Sequence, residues 1–326
     1  MSELPPEAAT YVDRWLGPGW SARALAGDAS VRAYYRITAA DGQSYMLAYY
    51  PEEVRPQLRR FLGAYEAVAG HGPVPEVLHS CDLAVLQRDV GDRTLYDVLH
   101  ANREEGIRLY RAAIELLVGF QQAGGGELNP PFTAEFFHAE LEMAREFYVE
   151  QLMDAPSDRL QILMKTVCDD VARHPYVLCH RDFHGQNLHI VNDDLYLIDY
   201  QDLRSGPDTY DMASLLRDRG AARAIGDEAE LELLEHYRRL IGADAGIRRR
   251  YFETLLQRSI KILGTFSKQP IVRGRMHYLE FIPPTLESIR RCIDELPHYA
   301  ALRDLFPLDF SLERAGTRAR ELNQLQ

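Results

Sequence analysis

Apolar and polar positions change period along this chain. From Ala22 to Tyr50 the runs SARALA, VRAYYRIT and QSYMLAYY are separated by the turn-forming stretches GDAS and AADG, which predicts three antiparallel strands. Helical spacing follows from Arg55 to Ala69, and Gly70, Gly72 and Pro73 stop that helix. A second strand pair is predicted at Glu76 to His79 and Ala84 to Arg88. After Val90 the tract GDRTLYDVL reads as a linker running into a helix, and residues 107–122 and 134–153 have apolar positions at helical spacing. Helix dominates from Asp211 onward, with no internal repeat and no low-complexity tract. The expectation is an α+β chain: a small β-rich N-lobe over residues 1–90 and a larger, mainly helical C-lobe over residues 91–326.

One stretch interrupts the helical half. In CHRDFHGQNLHIVNDDLYLIDYQD, Cys179 to Asp202, the runs LHIV and LYLI are joined by Asn192, Asp193 and Asp194, which is hairpin composition. With the turn centred on Asp193, Asn187 lies six residues before it and Asp199 six after, so the two are expected to face each other. Two oxygen donors at the open end of a hairpin suit a hard divalent cation such as Mg²⁺. Asp182, five residues upstream of Asn187, sits on the entering loop, from where a carboxylate can orient a hydroxyl and accept its proton. Each of these residues alone would more often cap a helix or close a turn. Their joint spacing, with His180 and Arg181 ahead of Asp182 and an apolar strand ending at Asp199, favours chemistry.

Composition narrows the classes. At 326 residues the chain is long enough for two lobes, and its hydrophobic fraction of 46% is ordinary for a globular protein. No apolar run approaches the roughly 18 residues a membrane helix needs, and MSELPPEAATYVDRW has no secretion signal, so a soluble, cytoplasmic protein without a membrane partner is expected. Four scattered cysteines form no CxxC pair. A net charge of −12 without a basic block argues against nucleic acid as a partner. A monomer is compatible with all of this.

The motifs carry a family resemblance. His180-Arg181-Asp182 with Asn187 resembles the catalytic loop of the protein-kinase-like fold, and the variant with Phe183 and His184 resembles the aminoglycoside phosphotransferase superfamily, as does Ile198-Asp199 at the end of its strand. IDYQDLRSGPDTYDMASLLRDR, GDASVRAYYRI and DVGDRTLYDVL are similar to a subgroup of bacterial anomeric sugar kinases that phosphorylate N-acetylmuramate and N-acetylglucosamine in cell-wall recycling. The resemblance implies the two-lobe kinase-like fold and ATP with Mg²⁺ as cofactors. It implies Asp182 as catalytic base, Asn187 and Asp199 as metal ligands, and Asp211 as a brace for the catalytic loop through its backbone amides. It also implies adenine contacts, mostly from the main chain, on a hinge at Leu86 to Val90 that includes Gln87 and Asp89. The phosphate-covering loop is expected at the Gly27-Asp28-Ala29-Ser30 turn.

The third strand departs from the kinase pattern. Where the motif Ala-x-Lys belongs, the chain reads Ala48-Tyr49-Tyr50, and tyrosine supplies no positive charge. Arg32 and Arg36 lie on one face of the second strand, and Arg32, directly after the Gly27 turn, is the expected substitute cation. For the acceptor, a small sugar, His184, Gln201, Asp202 and Arg204 flank the base and metal positions; a turn-closing pair of Asp202 with Arg204 is the structural alternative. Other acceptors of the superfamily, such as an aminoglycoside, choline or homoserine, stay open. So does a non-catalytic nucleotide-binding module, suggested only by the missing lysine.

Overall fold

The computed structural model describes residues 4–25, 32–123, 127–218 and 220–324. The chain divides into two compact units, Met1–Asn129 with Gly185–Leu203, and Pro130–His184 with Arg204–Gln326.

The first unit is built on a five-stranded antiparallel sheet of β1 (Ser21–Ala24), β2 (Ala33–Thr38), β3 (Ser44–Tyr49), β4 (Val77–Ser80) and β5 (Ala84–Arg88), in the order β1-β2-β3-β5-β4. All five strands coincide with those expected from the alternation. Turn chemistry sets the β2–β3 hairpin: Gly42 takes φ 85°, a left-handed conformation that costs glycine nothing, and the strands leave in register from Thr38 opposite Ser44. Tyr35, Ile37, Leu47 and Leu86 bury one face of the sheet against Ala8 and Val12 of helix α1 (Pro6–Leu16). Burial of Ile37, Leu47, Leu86 and Val12 contributes about 1.5–3 kcal/mol for each side chain. Helix α2 (Arg55–Val68) buries Leu58, Phe61, Ala64 and Val68. Helix α3 (Leu95–Ala101) starts where the linker ends, with Thr94 and Asp97 forming a reciprocal capping box, and α4 (Arg103–Gln121) follows. The unit is completed by the hairpin of β7 (Leu188–Val191) and β8 (Asp194–Leu197), which the chain reaches only after leaving and re-entering.

The second unit is mainly helical. It contains α5 (Ala134–Met143), α6 (Asp158–Val171), α7 (Tyr210–Arg217), α8 (Ala221–Ile225), α9 (Asp227–Leu240), α10 (Ile247–Arg273), α11 (Ile282–Glu295), α12 (Leu302–Leu305) and α13 (Leu312–Gln324). The 27-residue α10 is buried along most of its length and carries the buried polar groups Glu253, Thr254, Gln257, Arg258 and Ser259. A helix apolar all round belongs inside a core, and one that also buries charges must pair them. The expected single helix over 134–153 is instead α5 continued by a π-helical segment, Ala144–Leu152. Gly264 of α10 sits against that transition, where a Cβ would lie 2.5 Å from the Ala144 nitrogen. Strands β6 (Tyr176–Cys179) and β9 (Arg204–Pro207) form a short antiparallel ladder that the pattern did not predict, because Arg-Ser-Gly-Pro carries no apolar alternation. Among the described residues no helix is long and apolar enough to cross a membrane.

Candidate active site

In the first unit the hairpin positions Asn187 and Asp199, but with a register one step from the expected one. Val191 pairs with Asp194, so the turn is the two residues Asn192 and Asp193, at φ 50° and 68°. These are the left-handed values a type I′ turn demands and that Asn and Asp tolerate. The centre therefore lies between Asn192 and Asp193. The residue opposite Asn187 is Ile198, whose N–H donates to the Asn187 carbonyl at 3.0 Å, and Asp199 falls one residue beyond. Asp199 itself has φ 64°, an uncommon conformation for a non-glycine residue and one found disproportionately at functional sites.

Around Asp199 the unit gathers two of the other expected residues. The Gln201 amide donates to Asp199 Oδ1 at 2.8 Å, so its side chain orients the carboxylate. Arg32 Nη2 stands 4.0 Å from the same oxygen, with the arginine side chain 13% exposed and the carboxylate 42% exposed. The Tyr50 phenol, fully buried, lies next to the Arg32 guanidinium. A cation thus stands beside the position the missing lysine would have held. Tyr200, also buried, stacks on Phe61 of α2 and ties the segment after Asp199 to that helix. Asp202 pairs at 3.8 Å with Arg60 of α2. Asp199 and Asn187 offer hard oxygen donors, one charged and one neutral, a set that fits Mg²⁺ with water and phosphate oxygens completing its shell.

The remaining nucleotide-side expectations fall in three places. Gly27, Asp28 and Ser30 lie outside the described residues. Gln87 is inside β5, opposite Met46 of β3 and Val77 of β4, so the free linker begins after Arg88. Asp89 opens that linker with its carboxylate engaged by Arg36 and Ser44. Arg36 is accordingly committed to carboxylates.

In the second unit the loop after β6 holds Asp182 and His184. Asp211, in the first turn of α7, accepts from the His180 N–H at 2.6 Å and the Arg181 N–H at 2.9 Å. This is the brace that the resemblance implied. Arg181 is left at φ 81°, a second uncommon conformation beside the chemistry. Arg258 of α10 enters from the other side. Its Nη2 donates to Ser214 Oγ at 2.9 Å, and its guanidinium lies 4.3 Å from the Tyr210 ring centre. Burial pushes the Asp182 carboxyl up, but Arg258, followed by His180, Lys261 and His184, outweighs that and holds it below its ordinary value. Burial lowers the His184 imidazole, against the pull of Asp218 and Asp182, so it is neutral at pH 7. Arg204 sits on β9 with its guanidinium 4.6 Å from the Phe136 ring centre and 5.0 Å from that of Phe132. Those two rings form a cation–π seat for the guanidinium.

Arg258 escaped the sequence reading. The available signal was the run RSIKILGTFSK, Arg258 to Lys268, which resembles a pocket-lining helix of the sugar-kinase subgroup but singles out none of its three cations.

The description of the phosphotransferase enzyme family (APH) matches residues 21–251, well over half of the chain. The chain belongs to the phosphotransferase enzyme family. Two curated relatives are both named N-acetylmuramate/N-acetylglucosamine kinase. One, from Pseudomonas putida, is 26% identical over 93% of this chain and 91% of its own length; the other, from Neisseria meningitidis serogroup B, is 29% identical over 87% and 88%. Among solved structures, the streptomycin–ATP–APH(2″)-IIa ternary complex matches with a TM-score of 0.59 at 16% identity, covering 86% of this chain and 97% of that one. The choline/ethanolamine kinase family protein from Mesorhizobium loti matches with a TM-score of 0.59 at 15% identity, covering 97% and 98%. The phosphotransferase fold is therefore the kinase-like α+β architecture expected from the sequence, and this member is an enzyme, a kinase acting on a hydroxyl acceptor.

Proposed function

We propose that this phosphotransferase uses ATP and Mg²⁺ to phosphorylate the anomeric hydroxyl of an amino sugar, N-acetylmuramate or N-acetylglucosamine, in cytoplasmic recycling of cell-wall sugars. The observation that carries this reading is the match to two sugar kinases over nearly the full length of both chains, not over the catalytic motif alone. In this reading residues 1–90 serve the nucleotide and residues 91–326 carry the catalytic loop and acceptor residues. Asp182 is the base. Its depressed pKa keeps it ionised at neutral pH, and an anomeric hydroxyl, more acidic than other sugar hydroxyls, gives up its proton late in a loose phosphoryl transfer. Asn187 and Asp199 hold the metal ion, which neutralises charge on the phosphates. Arg32 supplies the cation that Tyr50 cannot, and its side chain, only 13% exposed, keeps that charge poorly screened. Retention of Asp182, Asn187 and Asp199 together argues against a non-catalytic nucleotide-binding module.

Arg32→Ala should raise KM for ATP and lower kcat, together costing about tenfold or more in kcat/KM, as loss of a hydrogen bond to a charged group does. Tyr50→Phe should change either constant by less than about twofold, because it keeps the buried ring. Steady-state kinetics at varied ATP checks both, and wild-type behaviour of Arg32→Ala would remove it from the nucleotide site.

The acceptor is tested by measuring ATP consumption with amino sugars, aminoglycosides, choline and homoserine, and by phosphorus NMR of the product. N-acetylmuramate and N-acetylglucosamine should react and their 1-O-methyl glycosides should not. Reaction of the glycosides rules out the anomeric position. Reaction of an aminoglycoside or amino alcohol alone rules out the sugar.

A further inference from the structure

The linker after β5 is held at both edges by groups that the chemistry above does not use. On one edge, Arg36 of β2 grips two carboxylates. Its Nε lies 2.6 Å from Asp89 Oδ2, its Nη2 lies 3.1 Å from Asp89 Oδ1, and its Nη1 and Nη2 donate to the two Asp92 oxygens at 2.7 Å each. Ser44 of β3 donates to Asp89 at 2.5 Å, and Asp89 in turn accepts from the Gly91 N–H at 2.9 Å. On the other edge, the linker is bonded to β7. The His189 Nδ1–H donates to the Gly91 carbonyl at 2.8 Å, the Ile190 N–H donates to the Arg93 carbonyl at 2.9 Å, and Thr94 forms a β-bridge with His189. Six residues thus join the five-stranded sheet to the strand that begins directly after Asn187 and whose partner leads to Asp199.

A solvent-facing arginine does not need two bidentate carboxylates. The Arg36 side chain is 14% exposed and that of Asp89 is 8% exposed, so this pair is desolvated and geometrically fixed, whereas Asp92 is 75% exposed and is drawn in chiefly by the arginine fork. The Asp89 carboxyl is pushed up by burial but held below its usual value by Ser44, Arg36 and the Gly91 amide, and Arg36 likewise lowers Asp92. Both carboxylates are therefore charged at neutral pH and the clamp is closed.

We infer that Arg36 is a positioning residue: through Asp89 and Asp92 it fixes the linker, and through the linker it sets where the hairpin presents Asn187 and Asp199. This rests on the reading of those two residues as the metal ligands. Arg36 acts on the nucleotide indirectly, and that gives a test by sign. As a free cation serving phosphate, Arg36 would gain by losing Asp92, and Asp92→Ala would lower KM for ATP. As a clamp, it loses its grip, and Asp92→Ala raises KM.

The experiment uses Asp92→Ala, Asp92→Glu and Arg36→Ala in the full chain. Asp92→Ala removes an exposed side chain and leaves the core intact. It should raise KM for ATP about two- to fivefold, the range of a partly exposed ion pair, with KM for the acceptor unchanged. Hydrogen exchange in residues 185–203 should quicken in the nucleotide-free protein, and Asp92→Glu should restore both readouts. Arg36→Ala should shift both in the same direction by more, and the double variant should be no worse than Arg36→Ala alone. A lowered KM in Asp92→Ala overturns the inference in favour of direct phosphate contact. Faster exchange with KM unmoved reduces the clamp to a structural brace and also overturns it, as does no change in either. If the wild type phosphorylates none of the acceptors, the proposed function falls, but exchange in the nucleotide-free protein and its response to Mg·ATP still decide the clamp: unaltered exchange and nucleotide affinity in Asp92→Ala refute it.

Discussion

Asp182→Asn should lower kcat by about 10²- to 10⁴-fold while leaving nucleotide affinity close to wild type. The substitution is nearly isosteric, and the loop that carries the residue is held by Asp211 through the backbone amides of His180 and Arg181. The substitution removes the proton-accepting capacity, needed only as the hydroxyl attacks, together with the negative charge that faces Arg258. Steady-state kinetics with direct nucleotide binding checks the split, and a large loss of ATP affinity would contradict the role. The pH dependence follows from the same group. The base is active above its pKa, and Arg258 and its neighbours hold that pKa down, so the acid limb of kcat belonging to Asp182 should lie below the ordinary carboxylate range. Arg258→Gln removes the largest opposing cation, leaves burial less opposed, and should move that limb upward.

Asp199→Asn should reduce turnover by roughly 10³-fold and weaken Mg²⁺-dependent nucleotide binding. Asparagine adopts the left-handed conformation as readily as any non-glycine residue, so φ 64° is kept, and its carboxamide oxygen still accepts from Gln201. What disappears is the charge, both for a hard cation and for Arg32 at 4.0 Å. Because the side chain is 42% exposed, thermal stability should hold within a few degrees. Titration of Mg²⁺ against kcat and against nucleotide affinity separates metal loss from unfolding. Undiminished turnover would remove Asp199 from the metal site.

The parts of this protein that were legible in the sequence are those where a local signal decides the structure. Strands β1 to β5 and α2 followed from period and punctuation, because alternation with Gly and Pro boundaries states which face is buried before any tertiary contact forms. The hairpin of β7 and β8 was equally plain, but its register was not. Asn192, Asp193 and Asp194 are all turn formers, and only left-handed geometry at the first two, with Asp194 already paired to Val191, makes the loop two residues long. Arg32 was identified by elimination of lysine, and the structure puts it beside Tyr50 and Asp199. Tertiary contacts hid the rest. Strands β6 and β9 exist because Cys179 and Arg204 meet across a separation of 25 residues. The π-helical turn at Ala144 lies against Gly264. Arg258 matters because Ser214, Tyr210 and Asp182 surround it, none of which is its neighbour in sequence.

The detour of the chain out of the first unit at Asn129 and back at Gly185 has a consequence for biosynthesis. During translation the sheet strands emerge early, yet the Gly91 and Arg93 carbonyls must wait for His189 and Ile190, about a hundred residues later. Until residues 189 and 190 have been made, the linker lacks these two bonds. The bonds between linker and hairpin can therefore form only after the whole intervening segment has been made, whereas the five strands of the sheet are all delivered before it.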